Sequence, residues 1–459
     1  MKGRFCIIPN NPLKKPLFRF SATQIIVLGF LAVVLVGTAL LMLPIATVSR
    51  RVTPFIDALF TSTSAACVTG LTIAETGTYW SVFGKSVILL LIQIGGLGFM
   101  SIALLFSLLA RRRITPRERM VFAQSLNLFD LSGIVKFAKF IFVCTFLSEG
   151  VGAILLAIRF IPEFGVSAGI VKSIFHSVSA FCNAGFDIIG HGNSLSDYAG
   201  DAYVSIVVSL LVIIGGLGFF VWRDLWMWIC RKGRLSPYYK LVLFATVSLL
   251  VTGTLLLFAF ENENPAFDDY SRPKLLLTSF FQSSVTRTAG FFSIPLDKLS
   301  STSKAVSMVL MFIGGASGST AGGIKVGTFA VIMIAVTAIL RGHNNFVFAG
   351  RRISLNNVLR AMGILAMAIA VVSISTLAIC LVEPDNQFAD VLYEVISAFA
   401  TVGQTLGITP SLTVFSKLLI ILLMFFGRVG IITVTYAIMF NQARSENLVT
   451  YPETNVLLG

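Results

Sequence analysis

The sequence contains little charge and few of the residues that build metal sites or enzyme active sites. Only 12% of its 459 residues are Asp, Glu, Lys or Arg, about half the share found in soluble domains. The 3 histidines are far apart, and the 6 cysteines form no CxxC pair, which argues against a metal site and against a disulfide framework. A membrane enzyme would need His, Asp or Cys clustered at membrane depth, and the sequence shows no such cluster.

Hydrophobic residues take the place of the missing charge. They make up 56% of the chain, and apolar runs of about 20 residues, enough to cross a bilayer, recur along its length. The first run, at residues 25–45, is longer than the core of a signal peptide and is followed by no clear cleavage site, so we interpret it as a retained helix. The sequence therefore predicts a polytopic helical membrane protein, without a long polar stretch for a soluble domain.

The net charge of +14 is concentrated in short loops rather than spread over a nucleic-acid-binding surface. Basic residues cluster at 14–19, 111–119, 231–234 and 341–352, and carboxylates fill the alternate loops at 187–201, 261–269 and 383–390. This alternation follows the positive-inside rule. It predicts cytoplasmic N- and C-termini and a relatively acidic outer face, which would concentrate cations.

One pattern occurs four times along the chain: an apolar helix, a short apolar segment, a glycine turn and a second apolar helix. The pivotal glycines are Gly70, Gly185, Gly290 and Gly403, spaced by 115, 105 and 113 residues (185−70, 290−185, 403−290). Each is preceded by an aromatic residue at ten positions, a serine at six and a small apolar residue at five. The aligned sets are Phe60, Phe175, Phe280 and Tyr393; Ser64, Ser179, Ser284 and Ser397; and Ala65, Ala180, Val285 and Ala398. Repetition of this kind indicates a repeated architecture.

The predicted fold is an all-α polytopic membrane protein with four helix–re-entrant pore helix–helix repeats around a pseudo-fourfold pore and eight transmembrane spans. The expected segments are a cytoplasmic N-terminal arm (1–20), repeat 1 (21–110), repeat 2 (111–230), repeat 3 with a broken second helix (231–342), repeat 4 (343–441) and a C-terminal tail (442–459). The second helices of the other repeats are expected to be continuous over 84–109, 203–229 and 412–440.

The glycine turns are the candidate cation-binding site. A half-helix that stops inside the membrane must leave its following backbone in a protein-lined or watery place. Four such turns around an axis can offer carbonyl oxygens to a dehydrated K⁺, and the helix C-termini add partial negative charge. The candidate filter residues are Val68, Thr69 and Gly70; Asn183, Ala184 and Gly185; Thr288, Ala289 and Gly290; and Thr401, Val402 and Gly403. The alternative is four re-entrant turns that only pack.

A second candidate site is a gate below these turns. A run rich in Gly, Ser and Thr cannot hold a stable helix, so we expect it to break the second helix of repeat 3 and to line the cavity under the filter. Its residues are Gly314, Gly315, Ala316, Ser317, Gly318, Ser319, Thr320, Ala321, Gly322 and Gly323, followed closely by Lys325. The run could be a mobile gate or a static kink. The glycines at 95–98 and 215–218 could also gate, or could simply allow close packing.

Arg428 is a charge in the middle of the last apolar helix, where charges are costly and usually functional. It could hold back K⁺, bind carbonyls of the glycine-rich run or form a lateral ion pair. Arg287, which precedes the third filter segment, is expected to serve the outer loops.

Taken together, the four filter segments, the broken third-repeat helix and Arg428 resemble the membrane subunit of the Trk/Ktr/HKT superfamily of potassium transporters, most closely the bacterial Ktr branch. The resemblance implies one pore per subunit, a homodimer in the cell membrane and a cytosolic ring of nucleotide-binding regulatory subunits that moves the 314–323 run. It also implies that K⁺ is transported, with nucleotide only on the partner and no organic cofactor in this chain. In that superfamily, glycine in the first of the four filter segments accompanies K⁺ selectivity and serine there accompanies Na⁺ permeation, and this chain has Gly70. Gln404 and Thr405 depart from the channel pattern and predict a shallower filter.

The predicted function is K⁺ uptake through a gated filter, without enzymatic activity. The alternative is a Na⁺- or H⁺-coupled secondary cation symporter with alternating access. Glu149 is the one carboxylate within a predicted span, which disfavours proton coupling, whereas Na⁺ stimulation or coupling stays open.

Overall fold

The computed structural model of the protein describes residues 21–109, 115–125, 133–189, 194–231, 233, 235–343, 345–430 and 433–435. The predicted N-terminal arm and C-terminal tail lie outside these residues. The described chain is helical apart from one antiparallel hairpin, in which β1 (Val347–Phe348) pairs with β2 (Arg351–Arg352). Short 3₁₀ helices occupy Pro44–Ala46, Ser196–Tyr198, Pro265–Phe267, Leu296–Lys298 and Thr409–Ser411.

Each repeat begins with a long apolar helix. These helices are α1 (Ala22–Leu41), α7 (Ile134–Phe164), α11 (Pro237–Glu261) and α15 (Leu355–Val382). They are the 4 helices of the described chain that are long and apolar enough to cross a membrane individually. Each buries one side in the protein and exposes large apolar residues on the other, as α7 does with Val143, Leu147 and Ile154, which is the pattern expected of a helix that faces lipid.

A short half-helix follows each long helix and packs against it. The half-helices are α2 (Phe55–Ala66), α8 (Val166–Phe181), α12 (Arg272–Val285) and α16 (Phe388–Phe399). With 12 to 16 residues each, they are too short to cross a bilayer. Their C-terminal halves are almost entirely buried, so the turns that follow them are held inside the protein.

The second helix of each repeat is broken, which contradicts the expectation of continuous helices over 84–109, 203–229 and 412–440. The observed segments are α3 (Thr76–Tyr79), α4 (Val82–Leu97), α5 (Phe99–Leu109) and α6 (Pro116–Ser125) in and after repeat 1; α9 (Ala202–Leu217) and α10 (Phe219–Arg231) in repeat 2; α13 (Ser301–Phe312) and α14 (Val326–Leu340) in repeat 3; and α17 (Val414–Val429) in repeat 4. The axes of α9 and α10 differ by 93°. Most of the predicted helix beyond Val429 lies outside the described residues.

Glycines with left-handed backbone explain three of these breaks. Gly98, Gly218 and Gly430 have φ of 79°, 87° and 92°, and a helix cannot continue through such a residue. The residues on both sides of each glycine keep a helical periodicity, so the sequence predicted one continuous helix. The positive φ of the glycine ends that helix instead. In repeat 3, where the sequence predicts a break, α13 and α14 are separated by residues 313–325.

The repeats are closed into a ring by their apolar cores. One cluster joins repeats 1 and 2 and extends to Phe281, Val285 and Phe291 of repeat 3. A second cluster joins Phe60 and Leu71 of repeat 1 to the core of repeat 4. The first and last repeats of the chain are therefore neighbours, and the half-helices converge on a common axis.

Candidate functional site

The four glycine turns meet in a closed ring at the centre of the molecule. A methyl group built on Gly70 would clash with the carbonyl oxygen of Ala184, and one on Gly185 would lie 2.6 Å from that of Ala289. Continuing round the ring, a methyl group on Gly290 would lie 2.6 Å from the carbonyl oxygen of Val402. Finally, Gly403 stands against the carbonyl oxygen of Thr69. Each turn thus contacts the next, in chain order, and the backbones approach so closely that only glycine fits.

The four turns also share one unusual backbone conformation. The first residue of each filter segment has a positive φ: 59° at Val68, 60° at Asn183, 72° at Thr288 and 53° at Thr401. The glycine two positions later is left-handed in every copy as well. Val and Thr rarely adopt this region, at a cost of order 1–3 kcal/mol each. A chain in which φ changes sign from residue to residue can turn successive carbonyls to the same side, as a carbonyl-lined filter requires.

The serine six residues before the glycine explains how this conformation is held in two of the copies. The Ser64 Oγ accepts a hydrogen bond from the Gly70 N–H at 3.1 Å, and the Ser397 Oγ accepts one from Gly403 N–H at 3.1 Å. The backbone carbonyl of the same serine accepts from the preceding residue, Thr69 or Val402, at 2.8 Å. In repeat 2 the Ser179 carbonyl does so for Ala184, but its hydroxyl donates to Phe186 O instead. In repeats 1 and 4, serine at this position therefore caps the half-helix and anchors the turn.

An acidic cavity of about 610 Å³ opens on one side of the ring. All four filter glycines line it, as do three carboxylates, Glu75, Asp187 and Asp297. Asp187 begins the acidic loop predicted at 187–201, whereas Glu75 and Asp297, which follow their filter glycines by five and seven residues, are not among the predicted carboxylates. A carboxylate within seven residues after the glycine in repeats 1 to 3 is the signal that could have identified them. A cleft lined by charges of one sign raises the local concentration of ions of the opposite sign.

The glycine-rich run of repeat 3 lies directly against the other side of the ring. A methyl group on Gly322 would clash with the Thr401 Oγ1, and one on Gly314 would lie 3.2 Å from the Thr288 Cγ2. Thr320 donates its hydroxyl to the Phe181 carbonyl at 3.0 Å and lies 3.0 Å from the Asn183 Oδ1. The run therefore contacts the first filter position of three repeats.

Backbone hydrogen bonds join the two ends of this run and attach its middle to the break in repeat 2. Where the run begins and ends, Gly314 N–H donates to Ile324 O at 2.8 Å. In the middle of the run, Ala316 N–H donates to Gly216 O at 2.9 Å, and Phe219 N–H donates to Gly318 O at 2.9 Å. The loop thus forms a layer across the axis, held by backbone hydrogen bonds.

Two cations bind the carbonyls of this loop. Arg428 donates to Thr320 O from one terminal nitrogen, and from the other to Gly95 O and, at 2.9 Å, to Gly96 O. Lys325 donates to Ala321 O at 2.7 Å. None of the ion pairs among the described residues involves Arg428. Of the roles considered for Arg428, these contacts match the binding of carbonyls in the glycine-rich run and not a lateral ion pair. A second cavity, of about 550 Å³, lies on this side and is lined by both cations.

Arg287 does not serve the outer loops as expected. Its side chain is 6% exposed, and its terminal nitrogens lie 3.4 Å from the carbonyl oxygen and 3.5 Å from the hydroxyl oxygen of Thr246, on α11. The charge of an arginine predicts a position at the protein surface, but the Arg287 side chain is buried next to the third filter segment. Asn183 of the second segment donates to the Arg287 carbonyl at 3.4 Å.

The glycines that precede the breaks face the ends of the half-helices. A methyl group on Gly95 would clash with the carbonyl oxygen of Ala66, one on Gly215 with that of Phe181 and one on Gly427 with that of Phe399. These carbonyls belong to the last residues of α2, α8 and α16. The same contact in three repeats favours the close-packing interpretation of the paired glycines over a gating role.

Comparison with known proteins places this architecture among transporters. Residues 14–448 match the family model TrkH, described as a cation transport protein. The chain is 41% identical to the potassium/sodium uptake protein NtpJ of Enterococcus hirae, with 96% of this chain and 98% of that protein covered. It is 38% identical to Ktr system potassium uptake protein B of Bacillus subtilis, with 96% of this chain and 97% of that protein covered.

A solved structure shows the same fold. The crystal structure of the potassium transporter TrkH from Vibrio parahaemolyticus superposes with a TM-score of 0.72, over 93% of this chain and 86% of that one, at 19% sequence identity.

Proposed function

This chain belongs to the TrkH family of cation transport proteins, which includes the Ktr potassium uptake proteins, and from that premise we propose that it takes up K⁺ through one carbonyl-lined filter. Membership identifies a multi-pass membrane transporter rather than an enzyme. The relatives named as potassium uptake proteins support K⁺ as the transported ion. The chain then crosses the cell membrane eight times, with both termini in the cytoplasm.

The observation that carries this proposal is the closed ring of four turns with one shared backbone conformation. The Thr288 and Thr401 hydroxyl oxygens are buried in this ring and have no hydrogen-bond partner among the described residues. Oxygen atoms left unpaired in this way suit a cation that has shed its water. The acidic cavity supplies cations from one side, and the filter residues of the four segments bind them in transit.

The loop across the axis is the proposed gate. Its backbone lies against the first filter positions of repeats 3 and 4, where it would block the axis, and the Arg428 and Lys325 side chains bind its carbonyls. Two carbonyls of the loop thereby accept hydrogen bonds from positively charged side chains, and these hydrogen bonds must break before the loop can move. A cytosolic nucleotide-binding ring, docked on the face that carries the second cavity, would favour the moved conformation.

The proposed assembly is a homodimer in which each chain contributes its own pore. Several relatives are named as proteins of a Ktr system, which supports a division of labour between this membrane subunit and regulatory subunits. Nucleotide binding is assigned to those partners.

Coupled symport is the second candidate: a single carboxylate in the spans disfavours proton coupling on sequence grounds, but the contacts of Glu149 beside the second filter segment favour it. Glu149 is 6% exposed and accepts a hydrogen bond from Gln93 at 3.2 Å. The Cys182 thiol, which directly precedes the second filter segment, lies 3.7 Å from the Glu149 carboxylate. A carboxyl group at this depth could exchange a proton during transport.

Flux into liposomes separates the two candidates. The chain is reconstituted into K⁺-loaded vesicles with and without a Ktr-type regulatory partner, and ⁸⁶Rb⁺ uptake is measured under imposed Na⁺ or pH gradients. We expect uptake that exceeds that of empty vesicles, is inhibited by external K⁺ more than by Na⁺ and persists when a protonophore collapses the pH gradient. Uptake that requires a Na⁺ or pH gradient would support the symporter, and uptake equal to empty vesicles under every condition would contradict both.

A further inference from the structure

Three positions of the repeat carry an exceptional residue in repeat 3 or repeat 4. Directly after the filter glycine, repeats 1 to 3 have an apolar residue and repeat 4 has Gln404; ten residues before it, repeats 1 to 3 have Phe and repeat 4 has Tyr393. Eight residues before the glycine, Gln282 of repeat 3 replaces a serine or valine. The aligned sets are Leu71, Phe186, Phe291 and Gln404; Phe60, Phe175, Phe280 and Tyr393; and Ser62, Ser177, Gln282 and Val395.

The structure brings these three exceptions together. The Tyr393 hydroxyl donates to the Gln404 Oε1 at 3.1 Å, and the Gln282 Nε2 donates to the same oxygen at 3.0 Å. The Gln404 Nε2 in turn donates to the Phe291 carbonyl at 2.8 Å. All three polar side chains are fully buried. We refer to Tyr393, Gln282 and Gln404 as the Gln404 network.

The Gln404 network joins two neighbouring strands of the ring, where a filter strand means one filter segment together with the residue that follows its glycine. Gln404 follows Gly403 of the fourth filter segment, and Phe291 follows Gly290 of the third. The bond between them therefore crosses from one strand to the next immediately beyond the glycine ring. The corresponding side chains of repeats 1 to 3, Leu71, Phe186 and Phe291, are apolar and cannot form such a bond.

The Gln404 network is not arranged for maximal stability. The Gln282 Oε1 is buried without a hydrogen-bond partner in the described part of the chain, and a buried unpaired acceptor is destabilising. Apolar residues fill the position after the glycine in the other three repeats, so packing alone does not require an amide here. This points to a role in fixing the distance between the strands.

We propose that Gln404, oriented by Tyr393 and Gln282, is a positioning residue that fixes the spacing of the third and fourth filter strands and thereby sets the discrimination of K⁺ from Na⁺. The inference rests on the proposed function of the ring as a filter. Discrimination is lost when the carbonyl ring contracts around the smaller Na⁺, or when the number or field strength of its dipoles changes. A side-chain bond between neighbouring strands resists both changes.

Tyr393→Phe is the decisive variant. It restores the residue type of the other repeats, keeps the aromatic side chain in place and removes one hydrogen bond to the Gln404 Oε1. We expect the ⁸⁶Rb⁺-to-²²Na⁺ uptake ratio in liposomes to fall about two- to tenfold, the range that one hydrogen bond accounts for. Gln404→Leu, which restores the residue of repeat 1, should lower the ratio further. The maximal ⁸⁶Rb⁺ uptake rate should change less than the ratio.

Tyr198→Phe is the matched control. Tyr198 is also buried, and its hydroxyl donates to the Glu163 carboxylate at 2.9 Å, but it lies outside the filter. We expect its uptake ratio to equal that of the wild type. If Gln404→Leu is not monodisperse on size exclusion, Tyr393→Phe decides alone.

The outcomes separate this inference from the function on which it rests. If the wild type takes up ⁸⁶Rb⁺ selectively and Tyr393→Phe keeps its ratio, the positioning role is refuted. An equal loss in Tyr198→Phe would also refute it, because the effect would then be general to buried hydroxyls. A wild type without selective uptake refutes the proposed function itself.

Discussion

At the scale of single residues, the site depends on backbone dihedral angles that few side chains tolerate. Four residues with a Cβ atom, Val68, Asn183, Thr288 and Thr401, adopt a positive φ at the first filter position. Serine six residues before the glycine anchors two of the turns. The sequence showed these serines in register, but a strained φ leaves no trace in composition or periodicity.

Gly70 gives the first prediction at this scale. A Gly70→Ser side chain would clash with the Ala184 carbonyl oxygen, and φ is already +97°, so the neighbouring strand must shift. We expect the preference for Rb⁺ over Na⁺ to fall about tenfold, in line with a local strain of one to a few kcal/mol. Competition uptake assays in cells without other K⁺ uptake systems measure it.

Gly165→Ser is the control for backbone strain. Gly165 has a φ of +80°, and a methyl group there would meet nothing within 4 Å. Its uptake preference should match that of the wild type. Equal preference in Gly70→Ser and the wild type would contradict the filter assignment at Gly70.

At the scale of elements, the loop between α13 and α14 lies between the ring and the second cavity and is the proposed gate. Its contacts with Thr401, Thr288 and Asn183 place it across the axis, and its hydrogen bonds to Gly215 and Gly216 tie it to repeat 2. The loop is held mainly by backbone hydrogen bonds, and Ala316 is its one member of the apolar cluster with Val221 and Val242. Because a segment with few apolar contacts opens at a lower free energy than packed helices, we expect the loop to move while the helices stay packed.

Removal of the loop should open the pore. We expect deletion of residues 316–322 to raise ⁸⁶Rb⁺ uptake by the chain alone roughly tenfold, because a closed conformation then no longer dominates. Thr320→Val, which removes the hydroxyl that donates to the Phe181 carbonyl, should raise uptake less. Thr337→Val at an exposed position of α14, where the hydroxyl donates to the Met333 carbonyl of its own helix, should not raise uptake. Reduced uptake by a deletion variant that remains monodisperse and thermally stable would make the loop structural instead.

At the scale of the whole molecule, one chain supplies all four sides of the ring. Repeat 4 packs on repeat 1 through the Phe60 and Leu71 cluster. On the same boundary, Lys417 of α17 and Asp57 of α2 lie 3.1 Å apart as a partly exposed ion pair. Such pairs contribute little, so apolar packing closes the ring. The proposed pore is therefore complete within one chain.

A complete pore within each chain predicts independent conduction in the oligomer. Gly403→Val should abolish conduction, since even a methyl group there clashes with the Thr69 carbonyl oxygen. We expect ⁸⁶Rb⁺ uptake by wild type co-expressed with this variant to fall linearly with the wild-type fraction in the purified mixture. A steeper fall would indicate that chains share a pore.

The sequence by itself determined the membrane class, the fourfold repeat, the position of the glycine turns and the break in repeat 3. These follow from periodicities in apolar residues and from glycine, which act locally. The tertiary structure decided what depends on contacts between distant residues. It closed the turns into a ring, broke the other second helices at Gly98, Gly218 and Gly430, buried Arg287 and brought Arg428 to the loop. It also showed that Gln404, which the sequence marked only as a departure from the filter pattern, bonds to the neighbouring strand, because hydrogen-bond partners 113 residues apart in the chain meet only in the folded ring.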